Sequence, residues 1–97
     1  MRRLQKDECF VLIIYDIVND RRRNAVMRYL NGYGYRVQKS CFEAIINKKM
    51  YRRILEDIPR MVDTTEDSVR IYKFNEHSKV IEYGLGSEAD YEIAMVL

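Results

Sequence analysis

Residues 9 to 15 (Cys9, Phe10, Val11, Leu12, Ile13, Ile14, Tyr15) form an unbroken apolar run rich in β-branched and aromatic side chains. A strand without polar alternation is one covered on both faces, so this segment predicts a central strand. The period then changes. Asn19 or Asp20 is placed to cap a helix that runs to about Asn31, where Gly32 and Gly34 end it. At about 100° per residue, Val26, Leu30 and Tyr33 face the core and Arg21 and Arg28 face away, while Arg22 and Arg23 flank the core side near the end of the first strand. Tyr35 to Ile46 returns as extended chain whose apolar positions switch parity near Lys39 and Ser40, which predicts a bend there. Between Lys48 and Val62, the series Met50, Ile54, Ile58 and the series Tyr51, Leu55, Val62 carry helical spacing, and Pro59 predicts a kink or an early end. Ser68 to Phe74 reads as a strand, and Lys79 to Tyr83 as another.

The order strand, helix, strand, helix, strand, strand predicts an α+β sandwich, one mainly antiparallel sheet with two helices on one face. A ferredoxin-like arrangement is the most economical version. With 97 residues the chain has room for one core, so residues 1–97 form a single domain. Hydrophobic residues make up 47% and charged residues 33%, a globular rather than a disordered balance. The segment ADYEIAMVL is apolar over Ile93, Ala94, Met95, Val96 and Leu97 and predicts docking rather than a frayed end. Residues from about 84 onward are therefore expected to form a docking tail. Its Ile93, Met95 and Leu97 would add a strand to a sheet edge, either the chain's own or that of a second subunit in a homodimer.

Cys9 and Cys41 lack CxxC spacing and a neighbouring histidine, which excludes a zinc site and leaves buried free thiols. The apolar run at residues 9–15 is too short to span a bilayer and is followed by charge rather than by a cleavage motif, so a cytoplasmic protein with no membrane contact is expected.

The 17 Lys and Arg against 15 Asp and Glu give a formal charge of only +2, but the charges are unevenly placed. Arg2, Arg3, Lys6, Arg21, Arg22, Arg23, Arg28, Arg36 and Lys39 lie in the first 40 residues, and Glu82, Glu88, Asp90 and Glu92 lie near the end. In "FVLIIYDIVNDRRRN" a single acid, Asp16, ends the apolar strand and three arginines start the helix. Cations at a helix N-terminus oppose the macrodipole at a cost of about 0.3–1 kcal/mol each, so an anion should compensate. Two readings account for this. In one, Asp16 and Asp20 pair with the arginines and the rest is solvated surface. In the other, Arg22 and Arg23 hold phosphates while Asp16 holds a divalent cation. One carboxylate is a poor magnesium site, and a two-fold axis near Asp16 would supply the second. His77, the only histidine, has no recognisable Ser or Cys partner. The tyrosines Tyr33, Tyr35, Tyr51 and Tyr72 suit core packing with an exposed hydroxyl better than base stacking. Gly84 and Gly86 mark a turn.

Taken in order, the strand ending in "YDI", the "RRRN" helix start, "GYGYRVQKSCFEA" and "DSVRIYKF" resemble the small CRISPR-associated adaptation protein of the second Cas family (Cas two). The resemblance runs from Phe10 to Phe74, with "VIEYGLGS" as a closing segment. It implies a ferredoxin-like homodimer in which the strand-end aspartate faces its mate and binds Mg2+ or Mn2+. Such proteins act as metal-dependent endonucleases on RNA or duplex DNA and as the bridge between dimers of the integrase of the first Cas family. Carried over by motif, the catalytic and metal-binding aspartate is Asp16 and the helix-start arginine is Arg23. The nucleic-acid-binding positions of the "RVQxSxFE" pattern are Arg36, Ser40 and Phe42. Ala25 stands where the family often has a basic residue, which counts against hydrolysis more than against nucleic-acid binding. Two other classes stay open at this point: a toxin-like ribonuclease of the same fold that needs no integrase, and a ferredoxin-like regulatory module for a small molecule.

Overall fold

A computed structural model of the chain describes residues 4–75. The elements follow as β1 (Glu8–Asp16), α1 (Asp20–Asn31), β2 (Tyr35–Gln38), β3 (Cys41–Asn47), α2 (Lys48–Met61) and β4 (Ser68–Phe74). The strands form one sheet in the order β2-β3-β1-β4, with every pairing antiparallel. This is the α+β, ferredoxin-like arrangement that the apolar pattern predicts. The expected strand over Lys79 to Tyr83, the tail with Ile93, Met95 and Leu97, and His77, Gly84 and Gly86 lie outside the described residues.

β1 is central, paired to β3 along one edge and to β4 along the other. Its odd positions Cys9, Val11, Ile13 and Tyr15, with Ile17 just beyond, are buried in one cluster with Val26 and Leu30 of α1 and Ile54 and Ile58 of α2. Both helices therefore cover the same face. Phe42, Ala44 and Ile46 of β3 complete this core, with the Tyr15 and Phe42 rings 6.3 Å apart. Truncating a residue such as Ile54 to alanine here costs about 2–5 kcal/mol. On the opposite face only Phe10 is buried, its ring 5.7 Å from that of Phe74. Leu12 is half-buried and Ile14 is 39% exposed. The expectation of cover on both faces is thus met on one face alone among the described residues.

The caps of the helices are local. Asn19 caps α1 by accepting a hydrogen bond from the Arg22 N–H at 3.0 Å, and Asn47 caps α2 by accepting one from the Met50 N–H at 2.9 Å. The Tyr29 hydroxyl of α1 donates to Asp57 of α2 at 2.6 Å and ties the two helices together. Burial, and then this bond, push the phenol well above its ordinary pKa.

Two expectations are corrected. Tyr35 to Ile46 is not one bent strand: β2 and β3 fold back on each other as a hairpin through Lys39 and Ser40, pairing Tyr35 with Glu43 and Arg36 with Phe42. The parity switch reflects this turn together with a register shift between Arg36 and Gln38. No Asn-Gly or Asp-Gly pair marks the turn. Pro59 does not end α2 early, because the helix continues to Met61. A proline this close to the end removes one backbone bond, and the carbonyl it frees belongs to the exposed Leu55, where water can serve it. Cys9 and Cys41 are free thiols, but only Cys9 is fully buried. Among the described residues, no helix is long and apolar enough to cross a membrane.

The two glycines after α1 have different jobs. Gly32 ends the helix in ordinary right-handed geometry at φ −72°, and a Cβ there would meet nothing closer than 3.4 Å. At Gly34 a Cβ would lie 2.1 Å from the Glu43 carbonyl oxygen and 2.6 Å from the Ala44 Cβ, because the chain passes hard against β3. Gly34→Ala is expected to lose about 1–3 kcal/mol in urea denaturation. Gly32→Ala should be neutral or stabilising by a few tenths of a kcal/mol.

Candidate nucleic-acid and metal site

β1 delivers Asp16 to the rim of the sheet face that the helices leave open, opposite Ser68 of β4. Asp16 is exposed, and its carboxylate makes no hydrogen bond or ion pair among the described residues. No group of three or more His, Cys, Asp or Glu side chains converges on a metal position among the described residues. Among the described residues Asp16 therefore belongs to no such group.

The arginines find partners other than Asp16. Arg22 donates from Nε to Asp67 at 2.9 Å and pairs through Nη2 with Glu66. Both bonds hold its guanidinium well above its ordinary pKa. Arg23 pairs with Asp20 and donates from Nη1 to the Ile17 carbonyl at 3.2 Å. The charge at the start of α1 is thus compensated by Asp20, as expected, and by Glu66 and Asp67 in the role expected of Asp16.

Asp67 is a hub. Its carboxylate accepts from Arg22, from the Val18 N–H at 3.1 Å and from the Asp63 N–H at 2.8 Å, and its side chain is sealed from solvent. The loop that holds it is itself an Asx turn, with the Thr65 N–H donating to Asp63 at 2.9 Å. One carboxylate thereby fastens the β1–α1 loop, the first turn of α1 and the end of α2 to the start of β4. The Arg22 bond, ahead of the two backbone donors, lowers the pKa of Asp67 to about 2.

On the helix side of the sheet, α1 and the β2–β3 hairpin enclose a cavity of about 560 Å³ lined by Arg23, Arg36, Lys39, Asn24, Tyr15 and Met27, among others, and by no acidic side chain of the described residues. The Arg36 guanidinium lies against Met27 Sδ at 2.7 Å. Tyr15 is buried beneath, its hydroxyl donating to the Lys39 carbonyl at 3.3 Å and its N–H to the Ser40 carbonyl at 3.0 Å. Burial raises its phenol pKa, so the group is a neutral donor here.

Arg23 and Arg36 are thus brought together, and Ser40 sits exposed at the adjoining turn. Arg22 is engaged by the Asp67 lock. Phe42 is 1% exposed, inside the core against Tyr15, so its ring supports the floor of the cavity and is out of reach of a base. Sequence reasoning singled out neither Asp67 nor Lys39 as a site residue. The acidic run of "TTEDS" before β4 was the available sign of the first, and the hairpin turn that aims the second carries no local signal.

A family model described as "CRISPR associated protein Cas2" matches residues 9–80. The chain belongs to this family. It is 39% identical over 79 residues to "CRISPR-associated endoribonuclease Cas2 3" of Chloroflexus aurantiacus, covering 79% of this chain and 85% of that one. It is 30% identical to "CRISPR-associated endoribonuclease Cas2 1" of Moorella thermoacetica, covering 91% and 99%. Among solved structures, Streptococcus pyogenes Cas2 superposes with a TM-score of 0.64 at 27% identity, over 70% of this chain and 88% of that one. A chain of a partial Cas6-RT-Cas1–Cas2 complex superposes with a TM-score of 0.65 at 29% identity, over 92% and 99%.

The Asp67 lock generates a pH prediction. Because its folded pKa is depressed, the stability it contributes is present above the ordinary carboxylate pKa and is lost as pH falls toward about 2. Asp67→Asn should melt below the wild type at pH 7, and the gap should close steadily as melting is repeated from pH 5 down to pH 2.

Proposed function

We propose that the chain is a CRISPR adaptation protein that works as a homodimer on nucleic acid. In this reading it bridges dimers of a Cas1-type integrase and carries a divalent-metal site for phosphodiester cleavage where two Asp16 carboxylates meet. The observation that carries the reading is the position of Asp16, exposed and without a partner among the described residues, on the rim of an apolar sheet face that neither helix covers. That face presents Leu12, Ile14, Tyr35 and Tyr72, of which the last three are 39%, 60% and 41% exposed. A second copy laid against it buries apolar surface worth about 1.5–3 kcal/mol for each large side chain fully covered. The same contact supplies the second carboxylate that a magnesium or manganese site prefers. The names of the relatives support an endoribonuclease, and the Cas6-RT-Cas1–Cas2 neighbour supports an integrase partner.

In this mechanism Asp16 holds the ion, and Arg23 and Arg36, with Lys39, hold the phosphate backbone without reading its sequence. The ion, when bound, would activate water and offset charge at the scissile phosphate. The catalytic equipment is sparse, with one aspartate per chain and Ala25 in a commonly basic position, whereas the binding surface is well furnished. Bridging is accordingly the principal role, and cleavage the secondary one.

Light scattering at micromolar concentration should return a dimer, and Ile14→Glu should return a monomer. Any cleavage of RNA or duplex DNA should require a divalent ion, and Asp16→Asn should abolish it. Asp16→Ala should still support integration of a short duplex by the reconstituted integrase complex. Loss of integration by a dimeric Asp16→Ala variant that binds its partner would make the metal site the principal function instead. RNA cleavage that needs no integrase, with no integration activity, would favour a toxin-like ribonuclease.

A further inference from the structure

The start of α2 poses the same electrostatic problem as the start of α1 and leaves it unsolved. Lys48, Lys49, Arg52 and Arg53 occupy its first two turns, all exposed, and the first turn contains no acid. None of the four forms an ion pair among the described residues. Lys48 with Arg52 and Lys49 with Arg53 are like-charge pairs at i,i+4, which repel, and Lys48 and Lys49 in the first turn also oppose the positive end of the helix dipole. In α1 the fold supplies Asp20, Glu66 and Asp67 to Arg22 and Arg23, and only Arg21 is left without an ion pair among the described residues. Two of the three arginines that start α1 are met by carboxylates, whereas all four cations that start α2 stay open to an anion from outside.

More positive charge converges there. A cavity of about 400 Å³ between the start of β1, α2 and the end of β4 is lined by Lys6, Lys48, Arg52 and Lys73, against two acids, Asp7 and Glu8. Lys73 Nζ lies 4.8 Å from the centre of the Tyr51 ring. This end of the molecule is remote from Asp16. Glu8 pairs with Asn47, the cap of α2, while Asp16 lies eight residues further along β1, a rise of about 26 Å.

We propose that the first two turns of α2, with Lys6 and Lys73, form a second contact surface for a nucleic-acid backbone, separate from the Arg23 and Arg36 cavity. Clustered lysine and arginine suit phosphate, which needs no apolar anchor. Protein interfaces are depleted in lysine and centre on buried aromatic or apolar side chains. The aromatic ring at this surface, Tyr51, is half-buried and already has Lys73 over it. The surface uses neither Asp16 nor a metal, so it goes beyond the function proposed above.

The test is fluorescence anisotropy of the full chain with a random-sequence DNA duplex in EDTA, repeated across a salt series. Each phosphate contact contributes about 0.9 to the slope of log K against log salt. Lys49→Gln/Arg53→Gln should therefore lower the slope by about 2, and Lys48→Gln/Arg52→Gln should do the same. Without DNA, both variants should melt at or above the wild-type temperature, because each removes a repulsion. Arg60→Gln, which removes an exposed charge at the far end of α2, should leave the slope unchanged. An unchanged slope in both double variants, with a reduced slope in Arg23→Gln/Arg36→Gln, overturns the second surface and leaves the first standing. An equal loss per charge in Arg60→Gln also overturns it, since net charge alone would then be at work. So does loss of integrase binding by the double variants with the slope unchanged, which would make the surface a protein contact.

Discussion

The structure depends on one constraint: β1 is apolar on both faces and hydrogen-bonded along both edges. Its partners β3 and β4 run antiparallel to it, and the two helices both cover the face that carries Val11, Ile13 and Tyr15. That arrangement satisfies half of the strand. The other half, with Leu12 and Ile14, emerges uncovered among the described residues and leads directly to Asp16. The homodimer proposed here is the complement of this imbalance. It also explains why the acid stands where a buried strand surfaces, since that is where a second copy would bring its own Asp16.

The second organising effect is electrostatic. Both helices begin with runs of cations, which oppose the helix dipole, yet the fold treats them differently. At α1 the hub carboxylate of Asp67 takes Arg22 and the Val18 N–H together, which fixes the loop immediately after Asp16. Arg23, one residue on, lines the basic cavity while paired with the exposed Asp20. Of these adjacent arginines, one is committed to a structural lock and the other faces the cavity proposed to hold the nucleic-acid backbone. At α2 no carboxylate of the described residues pairs with the cations, and the charge stays available.

The buried polar chemistry is economical. No polar or charged residue is fully buried among the described residues, and Asp67 is sealed only at its side chain, where three donors meet it. A buried carboxylate with one donor removed would keep its desolvation cost and lose its compensation. The lock therefore acts as a unit that connects the candidate site to the end of α2.

What the sequence by itself determined is what short-range physics encodes. The apolar run over residues 9–15 made β1, Asn19 capped α1, and helical spacing placed Val26, Leu30, Ile54 and Ile58 inward. The motifs from Phe10 to Phe74 pointed to the family, and the position of Asp16 at the end of a strand was visible beside them. Tertiary structure alone decided the rest. It folded Tyr35 to Asn47 into a hairpin, pressed Gly34 against β3 and turned Phe42 inward under Tyr15. It also gave Arg22 to an aspartate 45 residues away. Periodicity states which way a side chain points within its own element. Which partner waits there depends on elements that meet only when the chain has folded.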